Sequence, residues 1–234
     1  MKLYRMKTII ITGANGNLGT ATVRNFLDRG NRVIGVDNGG NNLEFASTNK
    51  NFELKAVDLS NEDASSKFIS ETISRYNKID AGLLLVGGFA AGAIDTTPGA
   101  DIKKMFTLNF ETAYYLVRPL FQHMLQNGYG RIVLVGARPA LNAAQGKNLL
   151  AYALSKSLLF KLAEFLNESA KGKNVVVSVI VPSTIDTAIN RKSMPDVDPG
   201  NWVKAEQIAE VMEFICSDAG LPIREPIYKI YNNA

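Results

Sequence analysis

Thr8-Ile9-Ile10-Ile11-Thr12-Gly13-Ala14-Asn15-Gly16-Asn17-Leu18-Gly19 is the stretch whose reading decides the fold. A short apolar run without alternation, the pattern of a strand covered on both faces, passes directly into three glycines at three-residue spacing. Gly13 suits a tight turn, Gly16 lets a phosphate approach the backbone, and Gly19 lets the following helix pack closely on the strand. That helix, expected over Leu18–Arg29, offers its free N–H groups and partial positive charge to a pyrophosphate, so Asn15, Asn17 and Leu18 belong to the candidate cofactor site with the glycines. The same glycines also suit a bare turn, and the residues that follow bear on the choice. A second apolar run, Arg32–Val36, ends at Asp37. A carboxylate about 20 residues past the glycines is placed to accept hydrogen bonds from the ribose hydroxyls of NAD(H) and to repel the 2′-phosphate of NADP(H). No Arg or Lys occurs in the glycine stretch or at 38–42 to reverse that preference. The alternative for Asp37 is an ordinary turn residue.

Working outward, apolar runs at Phe52–Val57, Gly82–Val86, Arg131–Val135, Val175–Val181 and Ile227–Tyr231 alternate with helical periods at Asn61–Tyr76, Ile102–Asn127, Tyr152–Lys171 and Ala205–Ser217. Gly30 and Gly128 stand where helix C-caps are expected. This order predicts an α/β fold: a single Rossmann-type doubly wound domain, a parallel seven-stranded sheet with helices on both faces. Residues 1–90 form its mainly dinucleotide-binding half and 91–234 its catalytic and substrate-binding half. Ser183–Asn201 has little periodicity and carries Pro195, Pro199 and Gly200, which points to a functional loop, a lid among the options.

Composition narrows the classes. With 234 residues, 46% hydrophobic and 21% charged, the chain is long enough for one core without a staple. Its single cysteine, Cys216, cannot form an internal disulfide, and no metal-ligand spacing occurs, so no metal is expected and a reducing, cytoplasmic setting is. The longest apolar stretch, Ala81 to Ile94, is interrupted by four glycines and falls short of the ~18–20 residues of a membrane helix. Net charge is +4, but the basic residues are dispersed, which argues for a mixed solvated surface over a nucleic-acid face. His123 is the sole histidine, expected on a helix surface, and without an arguable Ser/Asp partner it speaks against triad hydrolysis.

Tyr152 and Lys156 lie four residues apart, on one face of a helix. A phenol with pKa ~10 is a poor base at neutral pH, and bringing it down by ~3 pH units takes about 4 kcal/mol. One ammonium ~4 Å away at an effective dielectric of ~20 supplies about that much.

Taken in order and spacing, Thr12–Gly19, Asp37, Asp58-Leu59, Asn109 within Met105-Phe106-Thr107-Leu108-Asn109, Gly130-Arg131-Ile132-Val133, Tyr152-Ala153-Leu154-Ser155-Lys156 and the segment Pro182 to Thr187 resemble the short-chain dehydrogenase/reductase family over almost the whole chain. The resemblance implies that Tyr152 exchanges the proton with the substrate. It implies that Lys156 holds the nicotinamide ribose and lowers the tyrosine pKa, and that Asn109 supports a proton-relaying water. Thr184, Ile185 and Thr187 would meet the nicotinamide amide. Asp58-Leu59 would contact the adenine, with an N-cap role for Asp58 or Ser60 as the alternative. It also implies a homodimer or homotetramer through the two long helices, where Phe106, Phe110, Ala113, Val117 and Phe121 recur at helical spacing, although core packing against the sheet explains one such stripe.

The departures carry information. The family's serine after the Gly-Arg-Ile-Val strand falls on Ala137 counted forward from Gly130, or on Pro139 counted back from Tyr152, and no Ser or Thr occurs from Arg131 to Leu154. The fourth strand ends in Val86-Gly87-Gly88-Phe89 where the family has Asn-Ala-Gly, and Gly87-Gly88 still permits close backbone approach to the cofactor. Gly-Gly-aromatic there, together with Gly136-Ala137-Arg138, resembles the dihydropteridine reductases, which use NADH on a quinonoid pterin and need no carbonyl-polarising serine. Phe89, Arg138, Met194 and Trp202 are the candidate substrate residues, although Trp202 equally suits an anchor for the loop and Arg138 a solvent-exposed surface. The expected activity is NAD(H)-dependent hydride transfer with a small carbonyl/alcohol or pterin-like substrate. The alternative is a non-catalytic NAD(H)-binding regulator that has lost the serine.

Overall fold

The computed structural model describes residues 5–39, 43–224 and 226–233. Seven parallel strands form one sheet in the order β3-β2-β1-β4-β5-β6-β7. They are β1 (Thr8–Thr12), β2 (Arg32–Asp37), β3 (Phe52–Ala56), β4 (Ala81–Leu84), β5 (Tyr129–Val135), β6 (Asn174–Pro182) and β7 (Ile227–Ile230). The order reverses between β1 and β4, the switch point at which open α/β sheets form a crevice beyond the strand ends. One face is covered by α1 (Asn17–Asp28) and α8 (Ala205–Cys216). The other carries α2 (Glu62–Tyr76), the long rod of α3 (Gly99–Phe106) and α4 (Thr112–Asn127), and α6 (Leu150–Ser169). Each face has its own apolar core. Ile10, Ile34, Leu116, Leu120 and Val177 pack on the α4 side, and Ile9, Ile11, Val33, Ile208 and Met212 on the α8 side. Alternate residues of one strand thus enter opposite cores, which is why the strand sequences are apolar throughout. No helix among the described residues is long and apolar enough to cross a membrane.

Several boundaries differ from expectation for identifiable reasons. β4 stops at Leu84 rather than Val86 because the N–H groups of Leu85 and Val86 donate to Thr12 Oγ1 at 2.9 and 3.3 Å instead of continuing the ladder. The helix expected from Ile102 begins at Gly99, and one wide π turn, Thr107–Glu111, interrupts it. The segment 183–201 contains α7 (Ala188–Ser193), whose first turn is closed by Thr187 Oγ1 accepting the Asn190 N–H at 3.1 Å, and a short 3₁₀ turn at Pro199–Asn201. Another short helix, α5 (Ala143–Gly146), precedes α6.

His123 is not on the surface. It is 7% exposed, and its Nε2 accepts the Ile79 N–H at 3.2 Å, so it tethers α4 to the turn before β4. Periodicity places it on a helix but does not reveal that this face meets a loop with a spare N–H. Burial holds the imidazole below the usual histidine range, and the Lys78 ammonium pushes the same way against the opposing Asp80 carboxylate. The neutral form is therefore favoured by folding. That stability is fully present above the unfolded pKa of ~6.5 and is lost as pH falls below it. Thermal melts should show Tm falling as pH drops below about 6.5, and His123→Gln, which cannot titrate, should flatten that slope. An unchanged slope in the variant would remove His123 from the account.

Candidate active site

At the C-terminal edge of the sheet the glycine stretch makes the expected turn. Gly13 sits at φ +64°, in the left-handed region where a side chain is strained. A Cβ on Gly19 would lie 2.0 Å from the Gly13 carbonyl oxygen, so only glycine lets α1 approach β1 this closely. Asp37 at the end of β2 accepts the Asn15 N–H on Oδ2 at 3.0 Å and the Asn38 N–H on Oδ1 at 2.9 Å. The carboxylate thus stitches β2 to the glycine turn while its remaining lone pairs stay available. Asn15 has both amide atoms, Nδ2 and Oδ1, buried without a hydrogen-bond partner. Orphaned polar atoms beside a glycine cradle fit a polar ligand on this turn. Asn17 and Leu18 open α1, Asn17 exposed and Leu18 half-buried against the α8-side core. The reading that no cation follows Asp37 falls in part on Gly40, Asn41 and Asn42, which lie outside the described residues.

Beyond β3, Asp58 Oδ1 accepts both the Ser60 N–H (3.0 Å) and the Ser60 hydroxyl (2.6 Å), and these bonds hold its carboxyl below the usual range. The cap of α2 is neither Asp58 nor Ser60 but Asn61, whose Oδ1 accepts the Ala64 N–H at 2.9 Å. Leu59 is buried in the α4-side core, so only its backbone can face a ligand.

The second cluster centres on the π turn. Asn109, 1% exposed, projects from it between the loop after β4 and α6. Its Oδ1 accepts the Gly88 N–H at 2.8 Å, and its Nδ2 donates to Ser155 Oγ at 2.9 Å. Ser155 in turn donates to the Tyr152 carbonyl at 2.8 Å. The chain of bonds joins β4, α3–α4 and α6, and π turns inserted in helices are frequently found at such sites. Sequence reasoning missed Ser155, whose signal is a hydroxyl three residues after Tyr152 and directly before Lys156.

Lys156 is almost fully buried, and its Nζ donates to the Val135 carbonyl at 2.8 Å at the end of β5. Gly87 has no room for a side chain, because a Cβ would stand 2.7 Å from Asn109 Oδ1 and 3.0 Å from Lys156 Nζ. Burial pushes the Lys156 ammonium down to about 8 and the Tyr152 phenol up to about 12. Burial is the cause of the phenol's shift, with no opposing contribution from the Lys156 ammonium.

Phe89, 66% exposed, packs edge-on against Tyr152 with ring centroids 5.1 Å apart. It is carried there by the loop that bridges to the start of α6 through Gly92 N–H to Asn148 O and Leu150 N–H to Gly92 O, both 2.9 Å. At the expected serine position, Ala137 is buried and Pro139 half-buried in the 3₁₀ turn Arg138–Ala140. Arg138 is half-buried, with Nε donating to Gln145 Oε1 at 3.1 Å and its guanidinium 5.1 Å from the Tyr231 ring centroid. Pro182 ends β6. Thr184 and Ile185 are half-buried and pinned to the loop before α8 by Val203 N–H to Thr184 O (2.9 Å) and Asp186 N–H to Val203 O (2.8 Å). Thr187 spends its hydroxyl on capping α7. Met194 ends that helix half-buried, and Trp202 is buried with its carbonyl accepting from Asn232 at 2.8 Å.

The fold and the paired glycine and Tyr-Lys clusters define a dinucleotide-binding α/β oxidoreductase class. A family model described as short chain dehydrogenase matches residues 7–198. The chain is 27% identical over 197 residues to a 2-(R)-hydroxypropyl-CoM dehydrogenase of Xanthobacter autotrophicus, covering 79% of this chain and 77% of that one. It is also 27% identical over 207 residues to a dihydropteridine reductase of Dictyostelium discoideum, covering 87% and 85%. The crystal structure of an NAD+-bound xylitol dehydrogenase superposes with a TM-score of 0.86 at 20% identity over 97% of this chain and 98% of that one. The chain belongs to the short-chain dehydrogenase/reductase family, whose members are oxidoreductases that bind nicotinamide cofactors.

Removing the Asn109 amide strands the Gly88 N–H and takes from Ser155 Oγ the donor it accepts. Asn109→Ala should therefore cost ~2–4 kcal/mol in urea unfolding, and Ser155→Ala, which strands one group, nearer 1 kcal/mol. Equal stabilities for Asn109→Ala and the parent would contradict the bridging role.

Proposed function

We propose that the protein transfers a hydride between NAD(H) and a small carbonyl/alcohol or pterin-like substrate, with Tyr152 as proton donor and acceptor. The observation that carries this reading is the buried Lys156 ammonium, fixed to the end of β5 one helical turn from a phenol, facing a Gly87 too crowded for any side chain. When bound, NADH supplies the hydride from its nicotinamide C4. The rest falls to the chain. The glycine turn seats the pyrophosphate on the N-terminus of α1, and Asp37 accepts from the adenosine ribose, which favours NAD(H) over NADP(H). Lys156 holds the nicotinamide ribose hydroxyls. Tyr152 keeps its proton at neutral pH and delivers it to the substrate oxygen or nitrogen, while Asn109 supports the water that replaces it. Thr184, Ile185 and Thr187 face the nicotinamide amide, Asp58 and the Leu59 backbone the adenine, and Phe89, Arg138, Met194 and Trp202 border the substrate. With Ala137 and Pro139 in place of a hydroxyl, Tyr152 is the sole proposed donor to the substrate. This suits a conjugated imine better than an isolated ketone, and a dihydropteridine reductase is among the relatives. The same absence supports a second reading, a non-catalytic NAD(H)-binding regulator.

The exposed faces of the long helices favour a homodimer or homotetramer. Phe106, Phe110 and Tyr114 form a ladder of rings 5.2 and 5.7 Å apart, and Leu154, Leu158 and Phe165 are exposed on α6. Neither a nucleic acid nor a membrane is proposed as a partner.

Oxidation of NADH in the presence of a quinonoid pterin or a small ketone is the direct test. Tyr152→Phe should lower turnover by ~10²–10⁴-fold while leaving NADH binding intact. Full turnover in Tyr152→Phe refutes the assigned role, and tight NADH binding without turnover on a broad panel favours the regulator. The rate of reduction should hold through neutral pH and fall as pH rises through about 8, where Lys156 loses its charge.

A further inference from the structure

The opposite edge of the sheet holds a second feature that the oxidoreductase reading does not use. Where β1, β4 and β5 begin, a cleft of about 790 Å³ opens beneath α8. Four cations line it, Arg5, Lys7, Arg29 and Lys78, against three carboxylates, Asp80, Glu213 and Asp218. Asp80 is buried, accepts the Thr8 N–H at 2.9 Å, and gathers two of the cations, Arg5 at 3.6 Å and Lys78 at 3.4 Å. Lys7 reaches in from just before β1, its Nζ donating to the Cys216 carbonyl at 2.6 Å and to the largely exposed Asp218 at 3.3 Å.

The wall behind the cleft adds positive charge. Arg131, 1% exposed, is held by the carbonyls of Gly130 (2.8 Å) and Asn174 (3.0 Å) and by Asn174 Oδ1 (2.9 Å). No carboxylate among the described residues pairs with it or with the nearby Arg224. A buried guanidinium without a counter-ion is costly, and its field extends into the adjoining cavity. The ring of Tyr129, which lines the cleft, has Lys7, Lys78 and Arg131 within 5.9, 5.1 and 4.9 Å of its centroid. Arg29 pairs with Glu213 at 3.9 Å, so each of the four lining cations has a carboxylate partner, yet the lining keeps one positive charge in excess and Arg131 adds another behind it.

We propose that this cleft binds a phosphate group, with Lys7, Lys78 and Arg5 as its ligands. Two ammonium groups and a guanidinium brought together from separate parts of the chain suit a tetrahedral dianion. Phe26, Phe214 and Leu221 leave room beside them for the apolar body of a phosphate ester. The site lies at the N-terminal ends of the strands, across the sheet from Tyr152, and does not depend on the cofactor reading.

The test is thermal unfolding of the full chain with NADH at saturation, on addition of inorganic phosphate or phenyl phosphate, with sodium chloride at matched ionic strength as the control. Either anion at about tenfold excess over its dissociation constant should raise Tm by roughly 3–5 °C beyond the chloride control. Lys7→Met with Lys78→Met should abolish the rise, and Lys78→Arg should keep it. Arg5→Gln, at a side chain 66% exposed, should weaken the response without disturbing packing. Broadening of the phenyl phosphate ³¹P resonance by the parent protein gives the same answer should the double variant not fold. A larger rise with phenyl phosphate assigns the site to an organic phosphate, and equal rises assign it to the free ion. No rise beyond chloride and no broadening, or a rise that survives in Lys7→Met/Lys78→Met, overturns the proposal. The readout needs no turnover, so it stands or falls apart from the oxidoreductase reading.

Discussion

Keeping the Lys156 ammonium away from water is the constraint on which the rest of the active-site edge depends. Removing such a charge from solvent costs several kcal/mol unless donors and acceptors are arranged around it. The backbone supplies one acceptor, the Val135 carbonyl, at the point where β5 ends. A rigid sheet fixes that oxygen, and α6 fixes the lysine, so the ammonium has one position. Everything near it is shaped to leave that position open. Gly87 forgoes a side chain, Asn109 turns its Oδ1 to the Gly88 N–H, and the π turn gives Asn109 the reach to do so.

The same packing explains why the phenol and ammonium move in opposite directions from their ordinary values. Each loses solvation on burial, and for each the neutral form gains. Lys156 at about 8 remains mostly charged at neutral pH, while Tyr152 at about 12 remains protonated. At neutral pH the structure thus holds a protonated phenol and a charged ammonium one helical turn apart on α6.

Much of this was legible in the sequence because parallel strands buried on both faces are continuous apolar runs, and seven such runs alternating with helices leave few topologies. Thr12–Gly19 specifies its own turn, since a Cβ on Gly19 would overlap the Gly13 carbonyl. What escaped depended on partners distant in the chain. β4 ends early because Thr12 captures its next two N–H groups, and the turn before β4 draws His123 inside. The π turn is a change of backbone register that leaves the helical period of Met105–Leu125 nearly intact, so periodicity does not mark it. The cap of α2 lay one residue past the pair considered, because Asp58 is occupied by Ser60 and Asn61 is left to meet Ala64. The phosphate cleft proposed at the other edge assembles side chains from residue 5 to residue 221, a juxtaposition no local motif announces.

Calorimetric titration of NADH into the parent and into Lys156→Met tests the central claim most directly. The account predicts that the parent binds NADH and that loss of the ammonium weakens binding by about tenfold or more, equivalent to at least ~1.4 kcal/mol. Equal affinity in the two proteins, or no NADH binding by the parent, would contradict it.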